Sequence, residues 1–106
     1  MGGTVIAEIV VYYQSGSGGT NTACTYHRGP AYGVATDTMV QLGECYRSDC
    51  TYAFDGGQFM RDSGTYSKFA GSVRRTSTDS NCVVAEGRIT WRGKAHIWST
   101  GRVGCS

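Results

Sequence analysis

Apolar positions run almost unbroken from Thr4 to Tyr13, and then give way to QSGSGGTN over residues 14–21. The first stretch predicts a long strand with both faces covered, and the second a loop that its own side chains cannot order. Cys24 to Tyr26 and Tyr32 to Ala35 predict short strands on either side of Arg28-Gly29-Pro30, which holds the only proline. Thr36 or Asp37 can cap a helical turn or two running to Leu42, with Gly43 placed to end it. This predicts one short helix over 37–42. Further short strands are expected at Thr51 to Phe54, Gly57 to Met60, Thr65 to Phe69 and Ser72 to Thr76. Turns at Asp55-Gly56, Asp62-Ser63-Gly64 and Ala70-Gly71 separate them, a spacing that suits a sandwich or barrel. The last two strands, Gly87 to Trp91 and Ala95 to Ser99, form a hairpin. A three-residue loop, Arg92-Gly93-Lys94, puts Ile89, Trp91, Ala95 and Ile97 on one face and Arg88, Thr90, His96 and Trp98 on the other.

Composition supports β structure. Nine Val, seven Tyr and sixteen Gly stand against a single Leu, and helical cores draw on Leu where pleated surfaces draw on β-branched and aromatic side chains. The fold class expected is all-β, or β-rich α+β: one domain over residues 1–106, a small disulfide-stabilised barrel or sandwich. Leu, Ile, Val and Phe supply only 17 of 106 residues, so cross-links are needed to support so small a core. The candidates are Cys24, Cys45, Cys50, Cys82 and Cys105. Five cysteines make at most two bridges and leave one thiol, which would let a monomer dimerise. Cys45 and Cys50 are so close that pairing each other gains little loop entropy, so bridges from this segment to distant cysteines are expected. Disulfides place the protein outside the cell. A zinc site at Cys45, Cys50 and His27 is the alternative use of these residues, but no second close ligand pair accompanies them. No metal and no cofactor is expected. The longest apolar run is strand-sized, so no membrane span is expected.

Charge is uneven. Residues 1–73 carry four basic and six acidic side chains, whereas 74–106 carry six basic and two acidic, giving +4 there within an overall +2. Arg88, His96 and Trp98 on one hairpin face would stack on a base or sugar and pair with a phosphate. The plainer reading of the same residues is a soluble edge hairpin whose cations block edge-to-edge pairing. A small ribonuclease would need a carboxylate, an imidazole and an arginine, and Glu86 or Glu44, His96 and one of Arg74, Arg75 or Arg88 are the residues on hand. The gly-rich 16–19 segment lacks the Lys-Ser/Thr that a phosphate loop needs, and no serine or cysteine nucleophile has a motif.

Two resemblances add to this. Val11-Tyr12-Tyr13, Thr22-Ala23-Cys24, Tyr32 to Asp37 and Gly43-Glu44-Cys45 resemble the opening of small secreted double-psi β-barrel proteins, the expansin-like and barwin-like group. Thr78-Asp79 before Cys82 is similar to that group's acidic position. The resemblance implies Asp79 as a cleft acid and non-hydrolytic work outside the cell on glycans, cell-wall components or foreign proteins. Residues from Asn81-Cys82 to Gly104-Cys105 resemble the end of fungal guanyl-specific ribonucleases, though Trp91-Arg92-Gly93 stands where that family has a catalytic His before Thr-Gly. The function expected is a secreted binding protein: an effector, antimicrobial, toxin-like or inhibitor protein. Its expected partner is a glycan, a cell-wall component, a foreign protein or RNA. The alternative is a small ribonuclease or an inactive relative.

Overall fold

The structure, a computed structural model, describes residues 5–14, 19–45, 50–51, 53–54, 59–76 and 82–103. Asp79 and Cys105 lie outside the described residues. Among the described residues, seven strands form two antiparallel sheets: β1 (Ala7–Gln14), β2 (Thr20–His27), β3 (Thr36–Cys45), β4 (Phe59–Tyr66), β5 (Phe69–Thr76), β6 (Cys82–Trp91) and β7 (Lys94–Val103). One sheet has the order β1-β2-β5 and the other β4-β3-β6-β7. The chain is therefore a sandwich rather than a closed barrel. Its connections cross between sheets as in immunoglobulin-type sandwiches, except that the fourth strand pairs with the third instead of joining the first sheet.

Alternation along each strand places the core. His27, Thr25, Ala23 and Asn21 of β2 face inward, as do Thr38, Val40 and Leu42 of β3 and Val83, Ala85 and Ile89 of β6; all are fully buried. The expected helix over 37–42 is the middle of β3. Thr38, Val40 and Leu42 repeat every second residue, and pairing on both sides satisfies the backbone of this central strand. Gly43 does not end a helix. It makes room for the Ala53 carbonyl, whose oxygen would lie 2.5 Å from any Cβ at that position.

Several other boundaries shift. Thr20 and Asn21, expected in a loop, belong to β2, and Tyr32 to Ala35 connect a short 3-10 turn (Gly29–Ala31) to β3. Thr51, Ala53 and Phe54 are in turns. Asp62-Ser63-Gly64 lies inside β4 and Ala70-Gly71 inside β5; the turn between these strands is Ser67-Lys68. Asp62 has a structural task instead. One carboxylate oxygen accepts the Tyr66 hydroxyl at 2.7 Å and the other accepts the Gly71 N–H at 2.8 Å, so it ties β4 to β5 across the sandwich. The same bond to Asp62 raises the Tyr66 phenol pKa.

Buried His27 is a second cross-link. Its Nδ1–H donates to the Ala31 carbonyl at 3.0 Å, and Nε2 lies 2.7 Å from Thr38 Oγ1 on the opposite sheet. Arg75 reaches Glu44 at 3.0 Å between the sheets.

The disulfides expected are present, but the expectation that Cys45 and Cys50 bridge to distant cysteines is corrected. Cys45 and Cys50 are bonded to each other, Cys82 is also disulfide-bonded, and Cys24 is the buried free thiol. The Cys45–Cys50 bridge holds Ala53 and Phe54 over the outer face of β3 and β6, where Cys45, Cys82 and Val84 form a small second core. Packing thus takes up what the short loop cannot supply in entropy. Among the described residues no helix is long and apolar enough to cross a membrane.

Candidate ligand cleft at the open edge

The two long edges of the sandwich differ. At one, Asp62 and the β4–β5 turn close the gap between sheets. At the other, β1 and β7 part, and a cleft of about 410 Å³ opens between Val11 and Tyr13 of β1, Asn21 of β2, and Thr100 and Val103 of β7. That volume lies in the range of small-molecule sites. No charged side chain is among these lining residues.

A β-bulge builds the β7 wall. The β6–β7 register shifts between Val84 and Glu86, with Gly101 at φ 69°. Thr100 Oγ1 accepts the Ala85 N–H at 3.1 Å and donates to the Gly101 carbonyl at 2.7 Å. The extra residue restores the inward facing of Val103, which would otherwise point outward in a strand that already turns Trp98 inward. His96, Trp98, Thr100 and Val103 therefore share one side of β7.

The hairpin register itself is corrected by one residue. Ile89 pairs with His96 and Trp91 with Lys94, leaving a two-residue loop, Arg92-Gly93. Both loop residues have positive φ, 54° and 78°, the conformation whose twist matches the flanking strands. Lys94, His96 and Trp98 consequently fall on the same side as Ile89 and Trp91. Arg88, Thr90, Ala95 and Ile97 fall on the other, and Ile97 is 65% exposed. Trp91 packs against Ile6, Ala31 and Ile89, with Arg92 over its ring. Trp98 stands opposite Gly87 at the rim, 37% exposed. Its ring is stacked with that of His96 at 6.1 Å between centroids and 16° between planes.

His96 and Trp98 are thus brought together, and Arg88 is not with them. Arg88 lies on the outer face of the four-stranded sheet, ion-paired with Asp37 at 3.2 Å. Glu86 shares that outer face and accepts Gln41 Nε2–H at 2.7 Å, while Gln41 Oε1 accepts Arg61 Nε–H at 2.9 Å. Glu86 and Arg88 therefore project away from His96, on the opposite side of the sheet. The joined sulfurs of Cys45 and Cys50 are not thiolate ligands. Among the described residues no three His, Cys, Asp or Glu side chains are grouped to hold a metal.

Sequence reasoning missed the β1 side of the cleft. The apolar run predicts a strand covered on both faces, yet Tyr12 and Tyr13 at its end are 50% and 47% exposed, because β1 is an edge strand. Adjacent strand residues face opposite ways, which sends Tyr13 to the cleft and Tyr12 to the outer face. Comparisons with family models, with curated proteins and with solved structures find no match to this chain.

Proposed function

We propose that this protein is a non-catalytic binding domain that takes a neutral glycan at the β1–β7 edge and works outside the cell. The observation that carries the reading is a cleft with no charged side chain among its described lining residues, flanked by aromatic rings: Tyr13 on one wall, and the stacked His96–Trp98 pair on the strand face that forms the other. A sugar ring offers an apolar face for stacking and hydroxyls for Asn21, Thr100 and the Tyr13 phenol. A polyanion would meet no cation among the lining residues. The Cys45–Cys50 bridge fits an oxidising compartment. Glu86 and Arg88 lie on the opposite side of the sheet from His96, which favours binding over a nuclease built on those three residues.

The test is calorimetric titration with a panel of neutral oligosaccharides. Trp98→Ala and Tyr13→Ala should each weaken binding about tenfold, corresponding to about 1.4 kcal/mol for a lost stacking partner. Arg88→Ala, on the far side of the sheet, should leave it unchanged. Full affinity in Trp98→Ala would remove the site from this edge.

A further inference from the structure

The outer face of the three-stranded sheet is built differently from the cleft. Strand register places Tyr26 of β2 between Glu8 of β1 and Phe69 of β5. The next outward row is Val10, Cys24 and Gly71, and the one after it is Tyr12, Thr22 and Arg74. Tyr12 and Tyr26 are therefore two rows apart, yet their hydroxyls lie 3.4 Å from each other. Two tyrosines can meet tip to tip over that span only by lying along the sheet, so both rings are laid down over the row between them. The free thiol of Cys24 confirms the arrangement: it sits on the outward side of β2 and is still only 5% exposed. Gly71 beside it contributes no side chain, and a Cβ there would come within 3.3 Å of the Cys24 sulfur. Phe69, 45% exposed, meets Tyr26 at 5.6 Å between centroids and extends the strip onto β5.

The charges on this face limit what fits it. Arg28 stacks over Tyr26 at 4.7 Å and is neutralised by Glu8 at 3.0 Å, which leaves Arg74 as the one cation of the face without an ion pair among the described residues. A polyanion requires several such cations to release counterions. Protein hot spots sit in packed, desolvated pockets, whereas the rings of Tyr12 and Phe69 stand 50% and 45% exposed on this face. A flat row of rings with phenol hydroxyls in its middle suits a flat, uncharged, hydroxyl-bearing chain.

We infer that the Tyr12–Tyr26–Phe69 strip is a second glycan platform, separate from the edge cleft, which lets one domain hold two chains or two stretches of one polymer. The inference extends the proposed function to a site whose failure can be read on its own. Cys24 lies beneath the strip and reports its occupancy, while Trp98 reports the cleft.

The experiment adds a neutral hexasaccharide, of β-linked glucose or of N-acetylglucosamine, to the native full chain. Alkylation of Cys24 is followed by mass spectrometry, and Trp98 fluorescence in parallel. At free ligand ten times the dissociation constant, alkylation of Cys24 should slow about tenfold, because the covered state cannot react. Trp98→Ala should keep that protection. Tyr12→Ala/Phe69→Ala, which removes two exposed rings and leaves the core intact, should alkylate faster than wild type and gain no protection from ligand. Protection that persists in the double variant would come from stabilisation of the whole fold and would overturn the inference. So would a Trp98 response with an unchanged Cys24 rate, which would leave the cleft reading standing. Protection of Cys24 with a silent Trp98 would retain the platform and refute the cleft. Silence from both probes with both sugars would refute both.

Discussion

At Gly87 the two sheets pack closely, and it is where packing and site meet. It pairs with Trp98 on β7 and faces β1 and β2 across the sandwich. A Cβ built there collides with Thr25 Oγ1 and lies 2.8 Å from Ile9 Cγ1 and 3.2 Å from Ile9 Cδ1. Both are branched side chains with little rotameric freedom, so the sheets themselves must separate. Replacing a strand glycine by alanine otherwise gains about 0.5–1 kcal/mol by restricting the unfolded chain. Gly64 in β4 supplies that reference. Its added Cβ would meet only the Tyr66 ring, at 3.4 Å, an ordinary contact. Gly64→Ala should thus be neutral or stabilising by up to about 1 kcal/mol, while Gly87→Ala carries an overpacking cost of about 1–3 kcal/mol. The difference between the two variants isolates the clash. Urea denaturation with unchanged slope should place Gly87→Ala at the lower midpoint, and its melting temperature should fall below that of Gly64→Ala by about 4–8 °C for each kcal/mol of difference. Equal stability of the two variants would show that the sheets are not in contact at Gly87, and the assigned inward face of β6 would be wrong.

Other outcomes follow from the same contacts. His27→Ala should cost about 2–4 kcal/mol in urea denaturation, because it opens a cavity between the sheets and removes the two buried bonds to the Ala31 carbonyl and the Thr38 hydroxyl; a loss under about 1 kcal/mol would mean the cross-sheet link is not made. Cys45→Ala/Cys50→Ala should lose about 2 kcal/mol, as expected for so short a closed loop, again read from urea midpoints. Trp91→Ala should destabilise more than Trp98→Ala, since Trp91 packs on Ile6, Ala31 and Ile89 while Trp98 stands at the rim; the reverse order would invert the hairpin's roles. The Tyr66 phenol is raised chiefly by its bond to Asp62, and the Tyr26 phenol chiefly by its contact with the Tyr12 hydroxyl. Their stabilisation is complete below the unfolded value of about 10 and is lost as pH rises through the higher folded values. Denaturation between pH 8 and 12 should therefore show a fall above about pH 10, and Tyr66→Phe should flatten it.

What the sequence disclosed, and what it withheld, divides along the line between local pattern and long-range pairing. The Val- and Tyr-rich composition and the run before Gln14 announced an all-β chain, and the structure agrees. Thr36 to Leu42 misleads because a seven-residue segment with Thr36-Asp37 at its start and Gly43 just after its end satisfies both a helical and an alternating pattern. What decided it was pairing with β4 and β6, which no local window contains. The hairpin slipped by one residue because the two-residue turn uses Arg92 at positive φ in place of the Asn or Asp that usually signals it. Of the site, the pairing of His96 with Trp98 was legible, since residues two apart share a strand face in any register. Arg88 was assigned to that face only through the slipped register. Tyr13, Asn21 and Val103 were not legible, because they are brought together by the bulge at Gly101 and by the parting of two edge strands far apart in the chain.

The most direct test of the central claim is the intrinsic fluorescence of Trp98, titrated at low and high salt with a neutral oligosaccharide and, separately, with single-stranded RNA. The account predicts a saturable change with the glycan that is the same at both salt concentrations and absent in Trp98→Ala, with no response to RNA. A signal that appears with RNA and fades as salt rises, or a glycan signal that survives Trp98→Ala, would contradict it.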